Sequence, residues 1–111
     1  MRQSAQVSAE AQEIEREHRQ LALMGERMEQ FRRAVLPLSK LISDLEGLLE
    51  ARTLASEQWV HDFRSACEDL EITYAVALDR LTAIPDAHDP TVADGLLDLD
   101  VLIRRAVQDL G

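Results

Sequence analysis

The stretch 21-LALMGERMEQFRRAVLPLSKLISDLEGLL-49 decides the fold. Leu21, Met24, Met28, Phe31, Val35, Leu38, Ile42, Leu45 and Leu49 follow one another at alternating steps of three and four. A 3.5-residue period keeps one narrow face of a helix turned toward a partner helix, so the stretch predicts a heptad seam. Pro37 interrupts it, because a proline inside a helix loses a hydrogen bond and clashes with the carbonyl four residues back. Val35 and Leu38 keep the rhythm across it, which favours one kinked helix over about 8–52, with a clean break into two as the alternative. Ala34, Leu41 and Leu48 add a second apolar row, and a wider face implies two neighbours.

Upstream, Val7, Ile14 and Leu21 continue the seam, but Glu10 and Glu17 occupy the alternate core positions. Residues 1–20 therefore read as a helical extension, with Ser8 a candidate N-cap. Its first turns fray or need a partner, because a short amphipathic edge is marginal alone. Downstream, Thr53–Ser56 is a turn, Ser56 an N-cap and Glu57 an acid suited to a helix start. Val60, Phe63, Cys67, Leu70, Tyr74, Ala77, Leu81 and Ile84 then place a second helix over 56–84, ended by Pro85. Asp89 and Pro90 mark the start of a third, over 90–110, carrying Val92, Leu96, Leu99, Ile103, Ala106 and Leu110. The expected architecture is all-α. It is a long antiparallel, coiled-coil-like helical hairpin kinked at Pro37 with a third shorter helix along it, a three- or four-helix bundle over 21–111. The short 53–56 turn makes the second helix the partner of the segment from Leu21 on.

Helix lengths locate a candidate interface. At 1.5 Å per residue the second helix spans roughly 43 Å and the third roughly 31 Å, so the third should stop about 12 Å short of the 53–56 turn. The section left uncovered holds Leu45, Leu48, Leu49, Leu54, Trp59, Val60 and Phe63. Exposed apolar clusters mark interfaces, and a few such anchors dominate association energies. Leu45, Leu48, Leu49, Leu54, Trp59 and Phe63 are thus the expected partner-binding residues.

Composition narrows the function classes. The net charge is −9: residues 1–36 balance six acids with six Arg, and residues 37–111 carry 15 acids against six bases. An acidic surface repels phosphate backbones, which argues against direct nucleic-acid binding. No apolar run is long enough to span a membrane, and the N-terminal residues lack the apolar core of a secretory signal. A single cysteine, Cys67, excludes an internal disulfide framework and fits a reducing, cytoplasmic setting. Eleven Arg against one Lys reads as a GC-rich, bacterial genome.

The sequence offers no catalytic pattern. Glu15-x-x-His18 has the spacing of a di-iron bundle motif, but only one copy exists, so no metal or other cofactor is expected. Asp86, His88, Asp89, Asp94, Asp98 and Asp100 lack the spacing of a calcium loop. Cys67 sits at a core position and Tyr74 on the same seam, where both read as packing residues. The expected function is therefore a non-enzymatic protein–protein interaction module that self-associates as a homo-oligomer or docks a partner. The alternative is an acidic inhibitor, an immunity- or anti-defence-type regulator that blocks a basic site on a target protein.

Overall fold

The break falls at Ala34, three residues before the proline that announces it. The computed structural model describes the backbone of residues 2–110 and the side chains of residues 9–110. The described residues form four helices: α1 Arg2–Arg32, α2 Leu38–Glu50, α3 Glu57–Asp79 and α4 Pro90–Leu110. The single kinked helix is thus replaced by its alternative, a clean break, with a four-helix bundle as the result. Two local causes act together. Leu36 precedes Pro37 and is pushed out of the helical region by the proline ring. Ala34 turns into the left-handed region at φ 61°, which closes α1 with the N–H of Val35 on the Gln30 carbonyl (2.9 Å) and that of Ala34 on Phe31 (2.9 Å). This is the Schellman closure, with alanine where glycine is usual. Pro37, extended at φ −71° and ψ 156°, then opens α2.

α3 ends in the same way. Leu81 sits at φ 55°, with the Thr82 N–H on the Ala77 carbonyl (3.0 Å) and its own N–H on Leu78 (3.2 Å). The helix therefore stops at Asp79, and Leu81 and Ile84 leave the seam expected for them. Two of the three N-caps read from the sequence are present. The Ser56 hydroxyl accepts the Trp59 N–H at 3.2 Å, and the Asp89 carboxylate accepts those of Thr91 (3.0 Å) and Val92 (3.2 Å). At the N-terminus the helical backbone already begins at Arg2, so Ser8 lies inside α1 and not at its start. The side chains of Val7 and Ser8 lie outside the described residues.

The helices pack in a ring. α1 lies against α2 and α4, and α3 against the same two, so α1 and α3 are diagonal. The expected pairing of 21–49 with the second helix therefore holds only for its α2 half. α2 folds back on α1 and supplies the face turned to α3. The core is the seam itself: Leu21, Met24, Met28, Phe31, Leu38, Ile42, Leu45 and Leu49 are all buried. Val35 alone of the original series is out of place, at 72% exposure. Val92, Leu96, Leu99, Leu102 and Ala106 close the core from α4, where Gly95 leaves room for the Leu70 side chain: a Cβ there would lie 3.1 Å from its Cδ2. The molecule measures 62 × 27 × 19 Å. Much of the long dimension is the start of α1, which runs about 16 Å past the 51–56 turn it touches at Glu13 and Glu17.

Candidate functional site

The end of the bundle at residues 51–56 was expected to be the open one, and it is closed. α3 ends five residues before the end of the 56–84 reading, and the chain from Arg80 to Asp89 forms a connection in place of the last helical turns. α3 (23 residues) and α4 (21 residues) are nearly equal, so α4 reaches the far turn. The Trp59 indole N–H donates to the Leu102 carbonyl at 2.8 Å, and the ring is only 8% exposed. It stacks on Phe63 with centroids 4.9 Å apart, and the Arg52 guanidinium lies 4.4 Å above it. Leu45, Leu49 and Phe63 are buried with it, Leu48 is half-buried, and of the expected anchors only Leu54 is exposed. Four of the six are core, and the inference that α4 falls short of them fails with the helix length on which it rested.

Glu17, the apparent flaw in the seam, holds this end together. Its carboxylate is fully buried and accepts the N–H groups of Thr53 (2.8 Å) and Leu54, and the Arg52 Nε at 3.1 Å. Burial alone would raise its pKa; the Leu54 N–H, the Arg52 guanidinium and the Thr53 N–H outweigh burial and hold it below the usual value of 4.5. The residue thus ties the α2–α3 turn to α1. A charged residue at a core position, with Arg52 alone among bases between Lys40 and Arg64, is the signal from which the pair could have been read.

Along the α2–α3 groove, Glu46 meets Glu71. The hydrogen bond between the two carboxyls, desolvation, and the charges of Glu71 and Glu50 push Glu46 up to about 7. Beside them Cys67 is buried, and burial with the charges of Glu46, Glu71 and Glu68 pushes its thiol up to about 12. Such a thiol is not a nucleophile at neutral pH. Glu15 is exposed and His18 half-buried, and among the described residues no group of three His, Cys, Asp or Glu side chains comes together to hold a metal ion.

The open apolar surface lies at the other end. The two left-handed closures bring the 33–37 turn and the Ile84–Asp86 segment beside Tyr74, around an open cavity of about 380 Å³. α2 begins only at Leu38, and its first residues, Leu38 and Ser39, share the cavity with the half-buried Tyr74. Phe31, Leu36, Leu38 and Ile84 make the floor and walls apolar, Val35 stands at its edge, and Ile84 is 41% exposed. Leu78, one turn beyond Tyr74 on the same helix face, is also exposed, and Leu81 is 93% exposed. Sequence reasoning missed this surface because it placed Val35, Leu81 and Ile84 on buried helical faces. The signal available was the residue before each proline, Leu36 and Ile84, which a helix avoids.

Among the described residues no helix is long and apolar enough to cross a membrane. Compared with protein-family models, with curated proteins and with solved structures, the chain has no match.

Proposed function

We propose that the chain is a non-enzymatic protein–protein interaction module whose docking face is the end of the bundle formed by the 33–37 turn, Tyr74 and Ile84–Asp86. The observation that carries this reading is the open apolar cavity of about 380 Å³ with Val35 and Ile84 standing at it in solvent. Apolar side chains that leave a helical seam and remain exposed beside a concave surface are the usual mark of a contact site. We take this face in place of the one near residues 53–56 because Leu45, Leu49, Trp59 and Phe63 are buried there.

The test is paired affinity capture from the native host with the wild type and the Val35→Ser/Ile84→Ser double variant, with sedimentation of both proteins alone. Both positions are exposed, so the variant should keep its fold and lose the captured protein. Equal capture by the two would remove this face from the reading. Loss of a wild-type dimer in the variant would make the partner a second copy.

The inhibitor reading keeps one specific support. Between Arg80 and Arg104 the chain has five acids and no Lys or Arg, and among the described residues only Asp100 of these has an ion pair, with Arg32 at 2.6 Å. A complex made through such charges weakens steeply with salt, whereas one made through the apolar face does not.

A further inference from the structure

The apolar cavity and the acidic segment are usually separate kinds of surface, and here they belong to one end of the molecule. Asp86 lines the cavity itself, next to Ile84 and Pro85. Asp79 closes α3 just before the connection, and Asp89 opens α4 just after it. Asp94 follows one turn later. None of these four has an ion pair among the described residues; the Asp86 carboxylate accepts the His88 N–H (2.8 Å), and that of Asp89 caps the helix. The cations on the opposite side of the cavity are already engaged. Arg32 is held by Asp100 and Glu29, Arg33 by Glu29, and Lys40 by Asp44. Arg80 is the one Lys or Arg between Asp79 and Asp100 in the sequence. The rim therefore carries more negative than positive charge, and Arg32, Arg33 and Lys40 are engaged by neighbours within the chain.

We propose that this groove receives a basic, apolar-anchored segment of another protein: one or two apolar side chains seated against Tyr74 and Leu36, with a Lys or Arg flank over Asp86 and in the field of the acids that bracket it in the chain, Asp79 and Asp89. The inference rests on reading this end as a docking face and adds the chemistry of what docks. Charge decides among the occupants. A second copy meeting the face by two-fold symmetry would set the same carboxylates against themselves, and like charges across an interface cost several kcal/mol. An acidic helix, a nucleic acid or an anionic bilayer meets the same repulsion. A basic amphipathic segment gains from both parts, since apolar anchors supply affinity and opposite charge supplies encounter rate and register.

The test uses two fluorescein-labelled amphipathic peptides with the same leucine pattern, one with Lys at its polar positions and one with Glu, titrated with the full chain and read by anisotropy. The Lys peptide should bind, and raising salt to about 0.5 M should weaken it. Val35→Ser/Ile84→Ser and, separately, Asp79→Asn/Asp86→Asn should each weaken it by about tenfold or more. Equal binding of the two peptides, lost in the serine variant, would leave the docking face standing and overturn the basic partner. Equal binding of the Lys peptide by wild type and serine variant would show charge attraction elsewhere and overturn both. Binding of neither peptide overturns the basic partner, and a wild-type dimer broken by the serine changes then assigns the groove to a second copy.

Discussion

Glu17 shows how one side chain is made to serve a core position that its chemistry does not suit. A buried carboxylate is costly unless it is paired and hydrogen-bonded, and here two backbone N–H groups and a guanidinium meet it. Removing it leaves Arg52 charged beside Trp59 and two amides without an acceptor. Glu17→Ala should therefore destabilise the chain by about 3–5 kcal/mol, and Glu17→Gln, which keeps an acceptor for the amides, by about 1–3 kcal/mol. Denaturant melts would measure both, and a cost within error of zero for the alanine variant would show that the clamp is ornamental. Cys67 is the opposite case: a residue with reactive chemistry whose burial among carboxylates removes that chemistry and leaves a small apolar body.

At the scale of the element, the helix ends determine what the bundle exposes. Ala34 and Leu81 each hold a left-handed conformation that costs an L-residue about 1–2 kcal/mol. The cost is tolerated because stopping α1 at Arg32 lets α2 turn back and bury Leu38, Leu41, Ile42, Leu45 and Leu49. Five such burials, at about 1.5–3 kcal/mol each, exceed it several-fold. Leu81 is nearly fully exposed, so it loses little packing when replaced. Leu81→Gly should raise stability by about 1 kcal/mol, seen as a thermal midpoint a few degrees higher. A lower midpoint would mean that the Leu81 side chain has contacts worth more than the strain. The caps at Ser56 and Asp89 were legible in the sequence because a capping oxygen is a property of the residue itself. The two Schellman ends were not, because nothing about an alanine or a leucine announces a positive φ.

For the whole molecule, two titrations of opposite sign shape stability. Glu17 is held below 4.5 in the folded state, so its contribution is present at neutral pH and is lost as pH falls through and below that value. Glu46 is raised to about 7, so its contribution is full below 4.5 and is lost as pH climbs from 4.5 through 7. The net charge of −9 adds self-repulsion in the same upper range. Stability should therefore peak in mildly acid solution and decline toward pH 8. Glu46→Gln should flatten that decline, and parallel curves for wild type and variant would exclude the Glu46–Glu71 pair as a source of it.

What the sequence determined by itself was the helical class, the apolar seam of 21–49 apart from Val35, and the starts of α3 and α4. These follow from period, apolar identity and capping oxygens, all of which are local. Glu17 was placed at a core position, but its meaning waited for Arg52, 35 residues away in the chain. The order of packing, with α1 diagonal to α3, and the choice of which end stays open were decided only by the tertiary structure. The physical reason is that exposure at the bundle ends depends on differences of a few residues in helix length. Ending α3 at 79 in place of 84 left Leu81 and Ile84 in solvent at one end while α4 covered Trp59 at the other, and ending α1 at Arg32 put Val35 in solvent.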